Sequence, residues 1–227
     1  MREALTRGRD TARLAAAMIS EGVDRGMVVM RHAARHYDPD NLLNEPFMCL
    51  TEEGRRHSFD WGRQFPATTR LNLFSSHIGR CIETAYLVDK GYLAAGGRTR
   101  SNLIEKTLSP FYVADAQRLF REYLPRPDFF SAWFNEEIPG SVIMPPGRIV
   151  SAKQSFWRQR IMEGSHSHKG WDVCVTHDWN LYLIRHVLCG ISIEDQEKVD
   201  YLGGVVIFAD EGRCYLTAPG QSPVRLD

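Results

Sequence analysis

Short apolar runs alternate along the 227-residue chain with stretches whose hydrophobic positions recur at three- and four-residue intervals. Residues 10–20 form the first periodic stretch, with Leu14, Ala15, Met18 and Ile19 on one face and Asp10 as the N-cap. Met27-Val28-Val29-Met30 then reads as a strand buried on both faces. Thr51 caps a second helix with Glu52 and Glu53 in its first turn, where carboxylates suit the positive end of the dipole. Leu71 to Ser76 predicts a second strand, and Ile82, Ala85, Val88 and Tyr92 follow at helical spacing until Gly96-Gly97.

Residues 98–150 hold six of the chain's 11 prolines and many aromatics, which predicts an irregular insertion lying over the sheet edge. Ser151 and Gln154 resemble a capping box for a helix through about Met162. Asp172 to Thr176 predicts a third strand, followed by a helix from Trp179 that Gly190 stops. Gly204 to Ala209 and Cys214 to Ala218 form a closing hairpin around Asp210-Glu211-Gly212. Strands followed by helices predict a layered α/β domain with a largely parallel sheet, in which ligands collect at the carboxyl ends of the strands.

Composition narrows the function classes. Hydrophobic residues make up 43% and charged residues 25%, values of a folded globular chain rather than a disordered one. The 28 basic and 28 acidic side chains cancel, which argues against coating nucleic acid or a membrane surface. Five cysteines, an odd number with no CxxC pair, point to a reducing compartment. No apolar run reaches the ~18 residues of a membrane span, and charges interrupt every apolar cluster in residues 1–26, so a cytoplasmic location is expected.

Each of the first three predicted strands is followed by an unusual polar cluster. These are Arg31-His32-Ala33-Ala34-Arg35, then Ser75-Ser76-His77-Ile78-Gly79-Arg80, and finally His177-Asp178. Projected over one sheet edge, they assemble three guanidiniums, imidazoles and a carboxylate. Arginine forks match phosphate oxygens bidentately, so phosphate is the natural occupant.

With these clusters in place, the sequence resembles the histidine phosphatase superfamily, which includes phosphoglycerate mutases and histidine acid phosphatases. The Arg-His-x-x-Arg stretch is similar to its nucleophile motif, Leu50-Thr51-Glu52-Glu53-Gly54 to its LTxxG segment, Ser75-Ser76 through Arg80 to its second arginine motif, and His177-Asp178 to the HD motif of the acid-phosphatase branch. The resemblance implies a phosphoglycerate mutase-like three-layer α/β/α sandwich across residues 1–227, with a small cap inserted at about 98–150. It implies hydrolysis of a small phosphorylated substrate, a phosphate monoester, through a phosphohistidine on His32, without metal or cofactor. Arg31, Arg35, Arg80 and a protonated His177 would hold the phosphoryl oxygens, and Asp178 would protonate the departing alcohol.

Three nearby cations disfavour the imidazolium of His32, which keeps its nucleophilic nitrogen free near neutral pH. Each phosphate–arginine charge pair is worth roughly 4 kcal/mol at about 4 Å with an effective dielectric near 20, before desolvation is subtracted. The family usually has glycine after the nucleophile, where this chain has Ala33. A methyl group there can crowd a ligand, which makes a catalytically silent anion-binding protein one alternative. A mutase is another, and in that branch a glutamate matching Glu105 is the acid.

Other patterns carry less. Cys49 to Arg55 has the Cys-x5-Arg spacing of cysteine-dependent phosphatases, but Glu52 and Glu53 would repel a phosphate there. His32 and His36 share HxxxH spacing without the glutamate of a zincin helix, and His166-Ser167-His168 lacks a third ligand nearby. His57 reads as a surface or core histidine. Phe129, Phe130, Trp133 and Phe134 read first as packing of the insertion.

Overall fold

The computed structural model describes residues 6–38, 42–162 and 170–226. The helices are α1 (Thr6–Ser20), α2 (Glu52–Gly62), α3 (Gly79–Ala94), a one-turn α4 (Ala116–Arg118), α5 (Phe129–Phe134), α6 (Pro146–Ile161) and α7 (Asp178–Cys189). The strands are β1 (Arg25–Arg31), β2 (Arg70–Ser75), β3 (Arg98–Ile104), β4 (Gly170–Thr176), β5 (Gly204–Asp210), β6 (Arg213–Thr217) and β7 (Val224–Arg225). They form one sheet in the order β3-β2-β4-β1-β5-β6-β7. The first four are mutually parallel, while β5, β6 and β7 are antiparallel additions.

Alternation along β1 separates the two faces. Val28 and Met30 join a core with Ala12 and Ala15 of α1, Trp61 of α2, and Val88 and Tyr92 of α3. Met27 and Val29 join the opposite core with Trp157 and Ile161 of α6 and Leu181 and Ile184 of α7. A central strand covered on both sides must be apolar at consecutive positions, which is why β1, β4 and β5 are the most hydrophobic runs of the chain. The result is the expected α/β/α sandwich with a parallel core.

Several boundaries differ from the sequence expectation. α1 begins at Thr6, so Asp10 lies inside it and bonds Arg13 at 3.4 Å instead of capping. The Trp61 indole N–H donates to the Gly8 carbonyl and holds this added first turn in place. Residues 98–104, read as part of the insertion, form the edge strand β3 beside β2. α6 begins at Pro146, whose fixed φ and missing N–H suit the first helical position, while the Ser151 hydroxyl bonds the Gly147 carbonyl within the helix.

Most of the insertion packs on helices, while its first residues meet the sheet edge, where the Leu108 carbonyl accepts from Thr176 at the end of β4 at 2.6 Å. Tyr112, Phe129, Trp133 and Phe134 share a core with Ile149 and Val150 of α6 and Leu183 of α7. Its aromatic cluster is therefore a packed core, with Phe130 edge-on and Trp133 tilted against Trp179.

Between insertion and sheet, Lys153 of α6 is 2% exposed and donates to the Thr107 carbonyl. Burial pushes its amine down to about 7, against the opposing pull of Glu105. From about pH 7 to its ordinary value of 10.5 the unfolded chain holds a proton that the folded chain does not, so this residue makes stability rise with pH. We expect Lys153→Met to flatten that rise by up to ~1.4 kcal/mol per pH unit, measured by denaturant unfolding between pH 7 and 9. An unchanged slope would show that the amine stays charged when folded.

Candidate active site

β2, β4 and β1 are adjacent, so their carboxyl ends bring the three polar clusters to one edge. His32 follows β1 directly, and its backbone N–H donates to Thr176 at the end of β4 at 2.9 Å. Ser76 follows β2 and donates its N–H to Val175 of β4, which aims the chain into α3 and sets Arg80 on the first turn of that helix. His177 is the N-cap position of α7, and Asp178 lies in its first turn.

The loop after His32 is secured from two sides. Ala34 accepts from the backbone N–H of Thr51, and Thr51 caps α2 by accepting from Gly54 at 3.0 Å. A β-carbon at Gly54 would stand 2.1 Å from the Ala34 oxygen, so only glycine lets α2 come this close. On the other side, the Ala33 N–H donates to Thr84 of α3 at 3.2 Å. The Ala33 methyl is fully buried within the core beneath the sheet edge, so it does not crowd the open side of the site.

Arg80 organises the centre. Its Nε donates to His32 Nε2 at 3.0 Å, and its Nη2 lies 3.3 Å from His177 Nδ1. Guanidinium has donors only, so both of these ring nitrogens must carry lone pairs. The His32 proton therefore sits on Nδ1, which donates to the Ala33 carbonyl at 2.8 Å. The His177 proton sits on Nε2, 2.9 Å from the Ser76 hydroxyl. The two rings meet edge to face with centroids 5.5 Å apart.

Burial is the main cause that pushes the imidazolium of His32 well below the usual histidine range, reinforced by the charges of His177, Arg80 and Arg31. Burial likewise leads for His177, followed by Arg80 and Lys153. Both rings are thus neutral in the resting protein. The protonated His177 expected from the sequence belongs to the phosphate-bound site; in the resting site burial, Arg80 and Lys153 disfavour that charge.

Arg31 pairs with Asp178 at 2.8 Å, donates to the Val199 carbonyl at 2.7 Å and packs its guanidinium 4.3 Å from the Tyr201 ring. Arg35 and Arg80 share one carboxylate oxygen of Glu45, at 2.7 and 3.2 Å. Arg31 Nε and Arg35 Nε are buried donors that find no acceptor among the described residues. Such donors cost about 1–3 kcal/mol each when unmet, and an added anion would satisfy them.

Tyr201 and Glu45 were not among the sequence candidates. Tyr201 stands 5.8 Å from the His32 ring, on a loop whose next residue, Leu202, holds a strained φ of 62° while donating to the Arg31 carbonyl. Of the remaining candidates, Glu105 follows β3 and accepts from the Thr107 N–H at 2.8 Å, as the cap of a short 3-10 turn. His77 contacts Ser109 at 2.8 Å, His57 lies 3.8 Å from Glu53, and Cys49 is exposed with Arg55 engaged by Glu83. His166 and His168 lie outside the described residues. Among the described residues no group of three or more His, Cys, Asp or Glu side chains is placed to hold a metal, and no helix is long and apolar enough to cross a membrane.

No family model matches the chain, and no curated protein matches its sequence. Solved structures do match. The phosphoglycerate mutase of Bacillus anthracis str. Sterne superposes with a TM-score of 0.58 at 16% identity, over 85% of this chain and 91% of that one. A mycobacterial glucosyl-3-phosphoglycerate phosphatase gives 0.55 at 13% identity, over 87% and 99%. A phosphoserine phosphatase from Entamoeba histolytica gives 0.50 at 14% identity, over 86% and 95%. By these likenesses the chain has the phosphoglycerate mutase-like fold, the fold of the histidine phosphatase superfamily that its motifs resemble.

Proposed function

We propose that the chain hydrolyses a small phosphate monoester through a phosphohistidine on His32, with the charge of the transferring group carried by guanidiniums rather than by a metal. The observation that supports this most is the neutral His32 ring, locked by Ala33 into the tautomer that leaves Nε2 unprotonated beside Arg80. A nucleophilic imidazole needs that lone pair, and a buried cationic surround keeps it free of a proton.

In the resting site Arg80 caps the lone pair. A phosphate dianion that draws the guanidiniums of Arg31, Arg35 and Arg80 onto its oxygens uncovers His32 Nε2, so substrate binding and activation of the nucleophile are one event. Nε2 attacks phosphorus as the ester P–O bond breaks, and Nδ1–H remains on the Ala33 carbonyl to steady the developing positive charge. Opposite charge nearby favours an imidazolium, so the bound dianion makes His177 a donor to a phosphoryl oxygen.

Once its carboxylate has taken up a proton from solvent, Asp178 gives that proton to the departing alkoxide and takes one from the water that later cleaves the phosphohistidine. Its carboxylate first has to leave Arg31, which the incoming phosphate recruits. Asp178→Asn should therefore slow an alkyl phosphate by ~100-fold or more, yet p-nitrophenyl phosphate by less than ~10-fold, because nitrophenolate departs without a proton. Equal losses on both substrates would remove Asp178 from the acid role. The mutase alternative would return the phosphoryl group to its substrate, and following 3-phosphoglycerate for isomerisation against phosphate release separates the two.

A further inference from the structure

Arg80 makes two separate contacts with the short 3-10 turn Leu42–Phe47: its Nη1 donates to the Glu45 carbonyl at 2.7 Å, and its Nη2 to the Glu45 carboxylate at 3.2 Å. The same carboxylate oxygen lies 2.7 Å from Arg35 Nη2. That one anionic oxygen is held by two of the three arginines that the proposed reaction assigns to the phosphoryl group. We propose that Glu45 is an internal competitor for the anion site: its carboxylate fills the place of the phosphoryl group and the Leu42–Phe47 turn must withdraw before substrate enters. The inference rests on the reading of this cluster as a phosphate cradle.

Three features fit a competitor better than a permanent support. Glu45 meets Arg35 and Arg80 with a single oxygen, whereas a carboxylate that orients an arginine usually grips it with two in the fork-to-fork manner. Arg35 Nε remains buried without an acceptor even with Glu45 in place, so the site is left short of anionic oxygens. The Glu45 side chain is about a quarter exposed, more than those of Arg31, Arg35 and Arg80, so it can leave toward solvent. A monoanionic carboxylate is outmatched by a phosphate dianion, which offers more oxygens and more charge to the same arginines, but not by a ligand with charge equal to its own.

Isothermal titration with inorganic phosphate at neutral pH tests this on four proteins: the parent, Glu45→Gln, Glu45→Ala and Arg80→Ala. A competitor that fills the site about nine-tenths of the time weakens apparent affinity ~10-fold, so both Glu45 variants should bind phosphate about ten times more tightly than the parent. Glu45→Ala guards against the glutamine amide taking over the same contacts. If the Glu45 variants bind equally or more weakly while Arg80→Ala removes binding, Glu45 supports the arginines, and the competitor is overturned with the cradle intact. If the parent and the Glu45 variants fail to bind phosphate, or Arg80→Ala binds as the parent does, the cradle itself is misread and the competitor falls with it.

Discussion

His32→Ala is expected to lower the turnover of phosphate monoesters by at least ~10⁴-fold, the largest effect of any single substitution in this chain. The magnitude follows from the role: in the proposed reaction His32 forms the bond to phosphorus, and the fold presets the nitrogen that does so. The ring is held through its own backbone N–H on Thr176 and through Nδ1 on Ala33, and only Nε2 is left to react. His177 also turns a lone pair, on Nδ1, toward Arg80, but the proposed reaction uses it as a donor to a phosphoryl oxygen rather than as the nucleophile. A steady-state assay with p-nitrophenyl phosphate is sufficient, since that ester has no need of the acid. Loss of less than ~10-fold would mean that water attacks phosphorus directly and His32 is a bystander.

Arg80→Ala should reduce kcat/KM by ~10³-fold, about 4 kcal/mol of transition-state stabilisation. Arg80 touches both histidines and lies in the first turn of α3, so its removal takes away an oxygen clamp and the group that couples binding to exposure of the nucleophile. Arg80→Lys should recover little, because a single ammonium cannot reach His32 and His177 at once in the geometry of the fork. If the lysine variant kept most of the parent activity, only the charge at this position would matter, and the bridge between the two rings would be irrelevant to catalysis.

The parts of the fold that could be read in the sequence are those whose local chemistry agrees with their tertiary setting. β1 and β4 are buried on both faces and announce themselves by consecutive apolar residues, Met27 to Met30 and Val173 to Val175. α2 starts where Thr51 caps it, and α7 stops where Gly190 adopts a left-handed φ of 66°. β3 was illegible for the opposite reason. Its sequence, Arg98 to Ile104, is mostly polar and mostly exposed, as an edge strand can be, so it resembles the irregular insertion that follows it. α6 was displaced because Ser151 and Gln154 imitate a capping box inside a helix that two prolines begin.

For the site, the three polar clusters were visible because each breaks sharply from the apolar run before it. Glu45 and Tyr201 were not, since both approach the cluster through irregular segments whose path is set by tertiary packing. The state of His177 was also hidden, since it depends on burial and on Lys153, a residue on a different helix and remote in the chain. A charge inferred from neighbours in the sequence misses neighbours brought in by the fold.

The most direct test is chemical trapping of the intermediate. The parent protein, mixed with a ³²P-labelled phosphomonoester and quenched in denaturing alkali, should retain label that is stable to base, lost in acid, and confined on proteolysis to the peptide carrying His32. Label that sits on another residue, or that survives unchanged in His32→Ala, would contradict a phosphohistidine at this position.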